Sequence, residues 1–309
     1  MAELVLVTGA AGFIGRHVCR ALVARGIRVR GLGHGMNAAE ASTWGLSGWM
    51  DASVDFDALS GILGTAIPDA VIHCAGSASV AYSYAEPYHD YERSVSTVAT
   101  LLEYVRLACA SKPRVVLASS AAVYGDQGDV DLNETSACSP ISPYGFNKRA
   151  GEDLSTCYSR FFGAKISVVR LFSVYGEGLR KQLLWDAANK FARGDPTFFG
   201  TGHELRDWIH VEDAAALLCA AALQPQARFE IFTGGNAQAS TGEVLSKLGA
   251  ALGSATPPLF NGKTHSGNPR RLTTDCSHAH RQLGWSPLVG LDSGLARYGA
   301  WFNSLAIAT

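Results

Sequence analysis

The run Leu4-Val5-Leu6-Val7 passes directly into Thr8-Gly9-Ala10-Ala11-Gly12-Phe13-Ile14-Gly15. From there apolar residues recur at helical spacing through Phe13, Ile14, Val18, Ala21 and Leu22 until Gly26. A short, wholly apolar run reads as a strand buried on both faces, and the periodic segment after it reads as a helix. In a strand–turn–helix, glycines let the backbone turn sharply and approach a ligand closely. The first helical turn then presents unpartnered N–H groups and the positive end of its dipole. The spacing of Gly9, Gly12 and Gly15 is weak alone; its place between strand and helix makes it a pyrophosphate cradle. Gly9, Gly12, Phe13, Ile14 and Gly15 are the residues predicted to form it.

Outward from this stretch, apolar runs keep alternating with helical segments. Residues 29–32, 49–50, 70–74, 115–118 and 166–171 read as strands, and 88–110 and 144–162 as long helices. That alternation predicts an α/β fold, a doubly wound parallel sheet of the Rossmann type. Beyond residue 171 Gly and Pro become frequent, as in Gly176-Glu177-Gly178 and Pro257-Pro258, which predicts a smaller C-terminal substrate-binding domain. The partition reads as a dinucleotide-binding domain of 1–171 plus about 207–223, and a substrate domain of 172–206 and 224–309. Ser240-Thr241-Gly242-Glu243 has the pattern of a capping box at a helix start.

Composition narrows the function. The 309 residues suit roughly two domains at ~150 residues each. A hydrophobic content of 47% with a net charge of −1 excludes disorder. Lys+Arg 26 against Asp+Glu 27 leaves no surplus for neutralising phosphates in bulk, so no nucleic-acid partner is expected. The longest apolar run, 214–223, is about half the ~20 residues a spanning helix needs, so no membrane partner is expected either. No charged and apolar leader precedes the first strand. The 7 cysteines are scattered without a C-x-x-C pair. Both features predict reduced thiols in a cytoplasmic chain. His210-Val211-Glu212-Asp213 lacks the paired histidine spacing of zinc sites, so no metal is expected.

Two further constellations bear on chemistry. An acid closing the second strand of such a fold binds the adenosine ribose of NAD and repels the extra phosphate of NADP. Here the strand ends Leu32-Gly33-His34. Gly33 leaves room for a 2′-phosphate and His34 can donate to it, so the cofactor is expected to be NAD or NADP, with a lean to NADP. Asp51, ending the third strand, is a candidate acceptor for the adenine amino group. Tyr144-Gly145-Phe146-Asn147-Lys148 places a phenol and an ammonium four residues apart on one helix face. A cation beside a phenol favours the phenolate, which equips Tyr144 as a general base. Upstream, Ser119-Ser120 closes a strand at the carboxyl edge where ligands bind, and Ser120 can bond the oxygen that Tyr144 deprotonates.

With these residues the chain resembles the extended short-chain dehydrogenase/reductase family, and within it the nucleotide-sugar epimerases and dehydratases typified by UDP-galactose 4-epimerase. The likeness runs through His73-Cys74-Ala75-Gly76, Ser79-Val80, Arg206-Asp207-Trp208-Ile209-His210-Val211 and Leu283-Gly284-Trp285-Ser286-Pro287. It implies that Ser120, Tyr144 and Lys148 are a catalytic triad, with Lys148 also holding the nicotinamide ribose. It further implies that Ala75 and Gly76 flank the cofactor. Ser79, Ser173, Arg206 and Leu272 would face a nucleotide-diphosphate sugar, with Arg206 on its diphosphate. A homodimer formed through the fourth and fifth helices is likewise implied.

The sequence departs from the family at several points. Ser94 and Ser173 replace asparagines, and His265-Ser266-Gly267-Asn268-Pro269 lacks an arginine, for which Arg270 or Arg271 could substitute. The acidic pair that 4,6-dehydratases carry after the serine is Ala121-Ala122 here, and neither can move a proton. The expected function is therefore an NAD(P)-dependent nucleotide-sugar epimerase, acting at C4 by transient oxidation and hydride return. The alternative is an NADPH-dependent 4-keto sugar-nucleotide reductase. A dehydratase of the same fold and an inactive dinucleotide sensor complete the set.

Overall fold

The computed structural model of the chain describes residues 3–224, 227–264 and 268–307. It opens with β1 (Leu4–Thr8), α1 (Phe13–Val23), β2 (Arg28–Gly33), α2 (Ala38–Thr43), β3 (Gly48–Asp51), α3 (Phe56–Leu63) and β4 (Ala70–His73). Then come α4 (Val80–Ala85), α5 (Pro87–Tyr91), α6 (Thr97–Ala108), β5 (Arg114–Ser120), β6 (Asp131–Leu132), α7 (Pro143–Phe162) and β7 (Lys165–Leu171). β8 (Ser173–Tyr175), α8 (Gln182–Arg193), β9 (Thr197–Phe198), β10 (Leu205–His210), α9 (Val211–Leu223) and β11 (Phe229–Gly234) follow. The last elements are β12 (Ala237–Ser240), α10 (Thr241–Ala251), β13 (Leu259–Phe260), β14 (Arg271–Thr274), α11 (Ser277–Leu283) and α12 (Leu291–Ile307).

Seven strands form one parallel sheet in the order β11-β7-β5-β4-β1-β2-β3. Alternation along β1 sends Val5 and Val7 to one face, where they pack with Val18, Leu22, Leu217 and Leu218 from α1 and α9. Leu6 goes to the other face, with Leu59, Leu101 and Leu102 from α3 and α6. Both faces are covered, so every residue of β1 is buried. The chain lays β2 and β3 to one side of β1 and β4, β5, β7 and β11 to the other. The order therefore reverses between β1 and β4, and a crevice opens there at the carboxyl edge. A second sheet of β12-β10-β14-β6, with β8 paired to β10, carries the helices α8, α10 and α12 around Leu184, Phe191, Leu245 and Tyr298.

Sheet membership corrects the partition drawn from sequence at three places. Phe229–Gly234 pairs with β7 and completes the large sheet from beyond residue 224. Residues 207–210 lie in β10 of the second sheet, so the returning segment begins with α9. Asp131–Leu132 leaves the first 171 residues to pair with β14. The helix expected over 88–110 is interrupted by a π-helical turn at Glu92–Ser96. The capping box at Ser240 and Glu243 is present as read.

Candidate active site

Gly9 sits at φ +66°, and a Cβ there would lie 2.6 Å from the backbone N of Ala75, so only glycine lets the loop rest on the end of β4. Gly9 and Ala75 thus pack beneath the loop. Gly12, Phe13, Ile14 and Gly15 face a cleft of about 590 Å³ at the crevice. No side chain caps the N-terminus of α1, which leaves its first N–H groups for a ligand. An uncapped helix start over a glycine turn fits the diphosphate of a dinucleotide.

Ser120, Tyr144 and Lys148 line the same cleft, together with Gly76, Ser79, Ser173, Arg206 and Leu272. Ser120 ends β5, and its Oγ accepts from Ala122 N at 3.2 Å. Ser142 caps α7 by accepting from Gly145 N at 3.1 Å. A Cβ at position 145 would lie 2.5 Å from Ala122 O, so Gly145 lets the first turn of α7 press against the turn after Ser120. One turn on, Lys148 Nζ donates to Ala118 O at 3.1 Å and stands 5.8 Å from the centroid of the Tyr144 ring. Ser83 Oγ accepts from Tyr144 N at 3.0 Å.

A buried network holds this arrangement from behind. Ser119 Oγ donates to Glu152 Oε1 at 2.7 Å, and Arg170 Nη2 donates to Glu152 Oε2 at 2.7 Å. Arg170 Nη1 also reaches the Tyr124 hydroxyl at 3.1 Å. Arg170 and Glu152 are 1% and 2% exposed, so neither charge is shared with water. The network ties β5, α7 and β7 together directly under the triad. His73 is buried alongside, between Thr8 Oγ1 at 2.7 Å and Thr97 Oγ1 at 3.4 Å. Burial pushes it down to about 3, so it stays neutral and structural. Ser94 is buried too, and its Oγ accepts from Ser77 N at 3.4 Å, a backbone tie.

On the opposite wall Arg206 donates to Leu205 O at 2.8 Å, Asn268 Oδ1 at 2.5 Å and Pro269 O at 2.7 Å. It has no carboxylate partner among the described residues, since Asp207 turns away to accept from Asn236 N and Thr274 N. Burial lowers the pKa of Arg206, which marks a cation that an anionic ligand would relieve. Arg270 is a correction. It is not at the cleft but pairs with Asp129 at 2.7 Å on the surface, its side chain 72% exposed. Arg271 is likewise spent, on Asp131 at 2.7 Å. His265 lies outside the described residues.

The ends of β2 and β3 also differ from expectation. Gly33, His34 and Asp51 sit beyond the cleft wall, at the ends of β2 and β3. His34 Nδ1 lies 2.8 Å from Asp51 Oδ1 and Nε2 3.2 Å from Ser53 Oγ, so the ring is committed rather than waiting for a phosphate. Sequence reading missed Lys181 and Gln182, which enter the cleft at the start of α8. Gln182 takes φ +66° and donates from Nε2 to Ala78 O at 2.6 Å. No motif announces them; the fold brings them in. Among the described residues no group of three or more His, Cys, Asp or Glu side chains is arranged to hold a metal ion. No helix among them is long and apolar enough to cross a membrane.

The profile of the NAD dependent epimerase/dehydratase family matches residues 5–233. The chain belongs to this family. This family member is 30% identical to the UDP-glucose 4-epimerase of Mycolicibacterium smegmatis, over 97% of the chain and 98% of the relative. Its fold is similar to a crystal structure of a Thermotoga maritima UDP-glucose 4-epimerase with UDP-glucose, at a TM-score of 0.88 and 27% identity over 98% and 99% of the two chains. A Bacillus cereus UDP-glucuronic acid 4-epimerase in complex with UDP-glucuronic acid and NAD matches at a TM-score of 0.87 and 26% identity, again over 98% and 99%.

Proposed function

We propose that this chain is an NAD-dependent nucleotide-sugar 4-epimerase. One observation carries the reading: Ser120, Tyr144 and Lys148 converge on a cleft that begins at an uncapped helix N-terminus, with Ala121 and Ala122 beside them. A bound nicotinamide dinucleotide supplies a hydride acceptor that can return what it takes. The chain's own residues do the rest. Tyr144 takes the proton of the sugar's C4 hydroxyl, and Ser120 bonds the same oxygen as it becomes a carbonyl. Lys148, fixed by Ala118 O with its Nζ 5.8 Å from the centre of the ring, stabilises the phenolate and would hold the nicotinamide ribose. Once the 4-keto sugar has turned over, with the dinucleotide supplying the hydride that would return to its other face, Tyr144 gives the proton back to the C4 oxygen. Arg206, with Lys181 on the facing wall, holds the diphosphate. The cleft-lining Ser79, Ser173 and Leu272 contact the sugar nucleotide. Neither Ala121 nor Ala122 can remove water across adjacent carbons, which separates this chain from the 4,6-dehydratases.

Two copies are proposed to associate through α5–α6 and α7, where Tyr88, Leu107 and Phe161 stand 68%, 60% and 68% exposed. All seven cysteines are unpaired thiols, which supports a reducing, cytoplasmic setting. The deciding experiment incubates the purified protein with UDP-, GDP- and dTDP-hexoses without added dinucleotide and resolves the products. The C4 epimer is expected with no net oxidation. Turnover only with NADPH and a 4-keto sugar nucleotide would replace this reading with the reductase.

A further inference from the structure

A side chain joins the two walls of the cleft. Gln182 opens α8, which packs beside the second sheet, and its Nε2 donates at 2.6 Å to Ala78 O, 104 residues earlier and just after β4 of the large sheet. Both residues line the cleft, and Gln182 is exposed, so the bond crosses the opening on its solvent side. The backbone of Gln182 stands at φ +66°, a left-handed conformation that its side chain disfavours. Such an outlier persists only where its surroundings over-determine it, and ligand clamps are among the places where outliers gather. Both ends of the bridge are fixed. Before Gln182, Glu177 is gripped by Arg297 at 2.6 Å and by His210 at 2.9 Å, and the Tyr298 hydroxyl donates to Leu179 O at 2.9 Å. On the receiving wall, Ser79 caps α4 by accepting from Tyr82 N at 3.2 Å, and Ser83, one turn on, accepts from Tyr144 N. The bridge therefore lands on the segment that seats the first turn of α7. A single exposed hydrogen bond between neutral groups has a small net worth, so it can open and re-form as ligands enter and leave.

We propose that Gln182 latches the cleft over the 4-keto sugar, so that the ketone turns over in place instead of escaping between the two hydride transfers. This rests on the reading of the chain as a 4-epimerase. Gln182 is a positioning residue: it moves neither proton nor hydride and governs how long the intermediate stays. In the leak that the latch prevents, C4 has given its hydride to the bound nicotinamide dinucleotide and its hydroxyl proton to Tyr144. The C4 carbonyl has formed, and the ketone departs before either is returned.

Product partition tests this. Purified holoenzyme is incubated with UDP-, GDP- and dTDP-hexoses, protein is removed, and the filtrate is reduced with borodeuteride. Released ketone then carries one deuterium at C4, counted by mass spectrometry against the epimer. Gln182→Gly removes the amide and relieves the backbone. Gln182→Asn suits the left-handed backbone but is one methylene too short to reach Ala78 O. Each is expected to raise the ratio of ketone to epimer roughly fivefold over wild type, the worth of one hydrogen bond in the escape rate. A variant that is only less stable makes less of both and keeps the ratio. An unchanged ratio in either folded variant would overturn the latch and leave the epimerase reading standing. No epimer from wild type with any of the hexoses would overturn that reading and the latch with it.

Discussion

In the proposed mechanism Tyr144 acts through a single oxygen, while its ring lies 5.8 Å from Lys148 Nζ. Tyr144→Phe keeps the ring and removes the proton site. Its expected effect is a fall in kcat of about 10²–10⁴-fold, with sugar-nucleotide affinity by calorimetry unchanged within a few-fold. Wild-type turnover in that variant would rule out the phenol as base. The three residues proposed as the triad, which line one cleft, stood out in the sequence because each belongs to a local pattern: a serine at a strand end, a phenol and an ammonium one helical turn apart. The arginines were not. Arg206 and Arg270 look alike in sequence, and only tertiary pairing separates them, since Asp129 draws Arg270 to the surface while Arg206 keeps to backbone and amide acceptors at the cleft. The partners of His34 were hidden for the same reason: they come from β3 and the turn after it.

At the scale of elements, the Glu152–Arg170 pair locks α7 to β7 from behind the site. Breaking a buried pair strands a charge, whereas replacing both members by apolar groups need not. Arg170→Met is expected to cost about 3–5 kcal/mol in urea unfolding, and Arg170→Met with Glu152→Leu to recover a large share of it. A neutral single variant would mean that the tie does not stabilise the fold. The strands β1, β4 and β5 could be read because burial on both faces leaves a nearly continuous apolar run, and β7 because Ser167 and Arg170 only interrupt one. The capping box at Ser240 could be read because it is complete within four residues. Neither β6, two residues long, nor the π turn at Glu92–Ser96 leaves such a trace. A turn of that kind inserts one residue and passes as ordinary helix in the apolar spacing.

For the whole molecule, buried titrating groups set the response to acid. Burial pushes His17 down to about 4 and His73 down to about 3, from 6.5 when unfolded. Their contribution is intact above pH 6.5 and is lost as pH falls through the folded values. Asp207 works in the opposite sense: burial pushes it up to about 6 from 3.8, so its cost is present above pH 6 and relieved in acid. Between pH 6 and pH 4 the unfolded chain therefore holds two histidine protons that the folded one lacks, and the folded chain one aspartic proton that the unfolded one lacks. The net single proton from these three groups predicts that stability declines by at least about 1.4 kcal/mol per pH unit across that window. Glu103, Glu177, Glu204, Glu212 and Glu243, all held below their ordinary 4.5, steepen the decline toward its acid end. Urea midpoints measured from pH 7 to pH 4.5 check this. A flat series would mean that the two histidines are not held neutral.

The last strand of the large sheet has a consequence for how the protein is made. β7 has both its edges occupied only after Phe229–Gly234 has been added. A ribosome must therefore pass residue 234 before the large sheet can close, and contacts so distant along the chain form slowly. Until then the nascent polypeptide carries an unpaired strand edge along Ile166 to Leu171, of the kind that recruits stray strands. A transcript cut short before residue 229 would be expected to yield aggregate, not a smaller working enzyme.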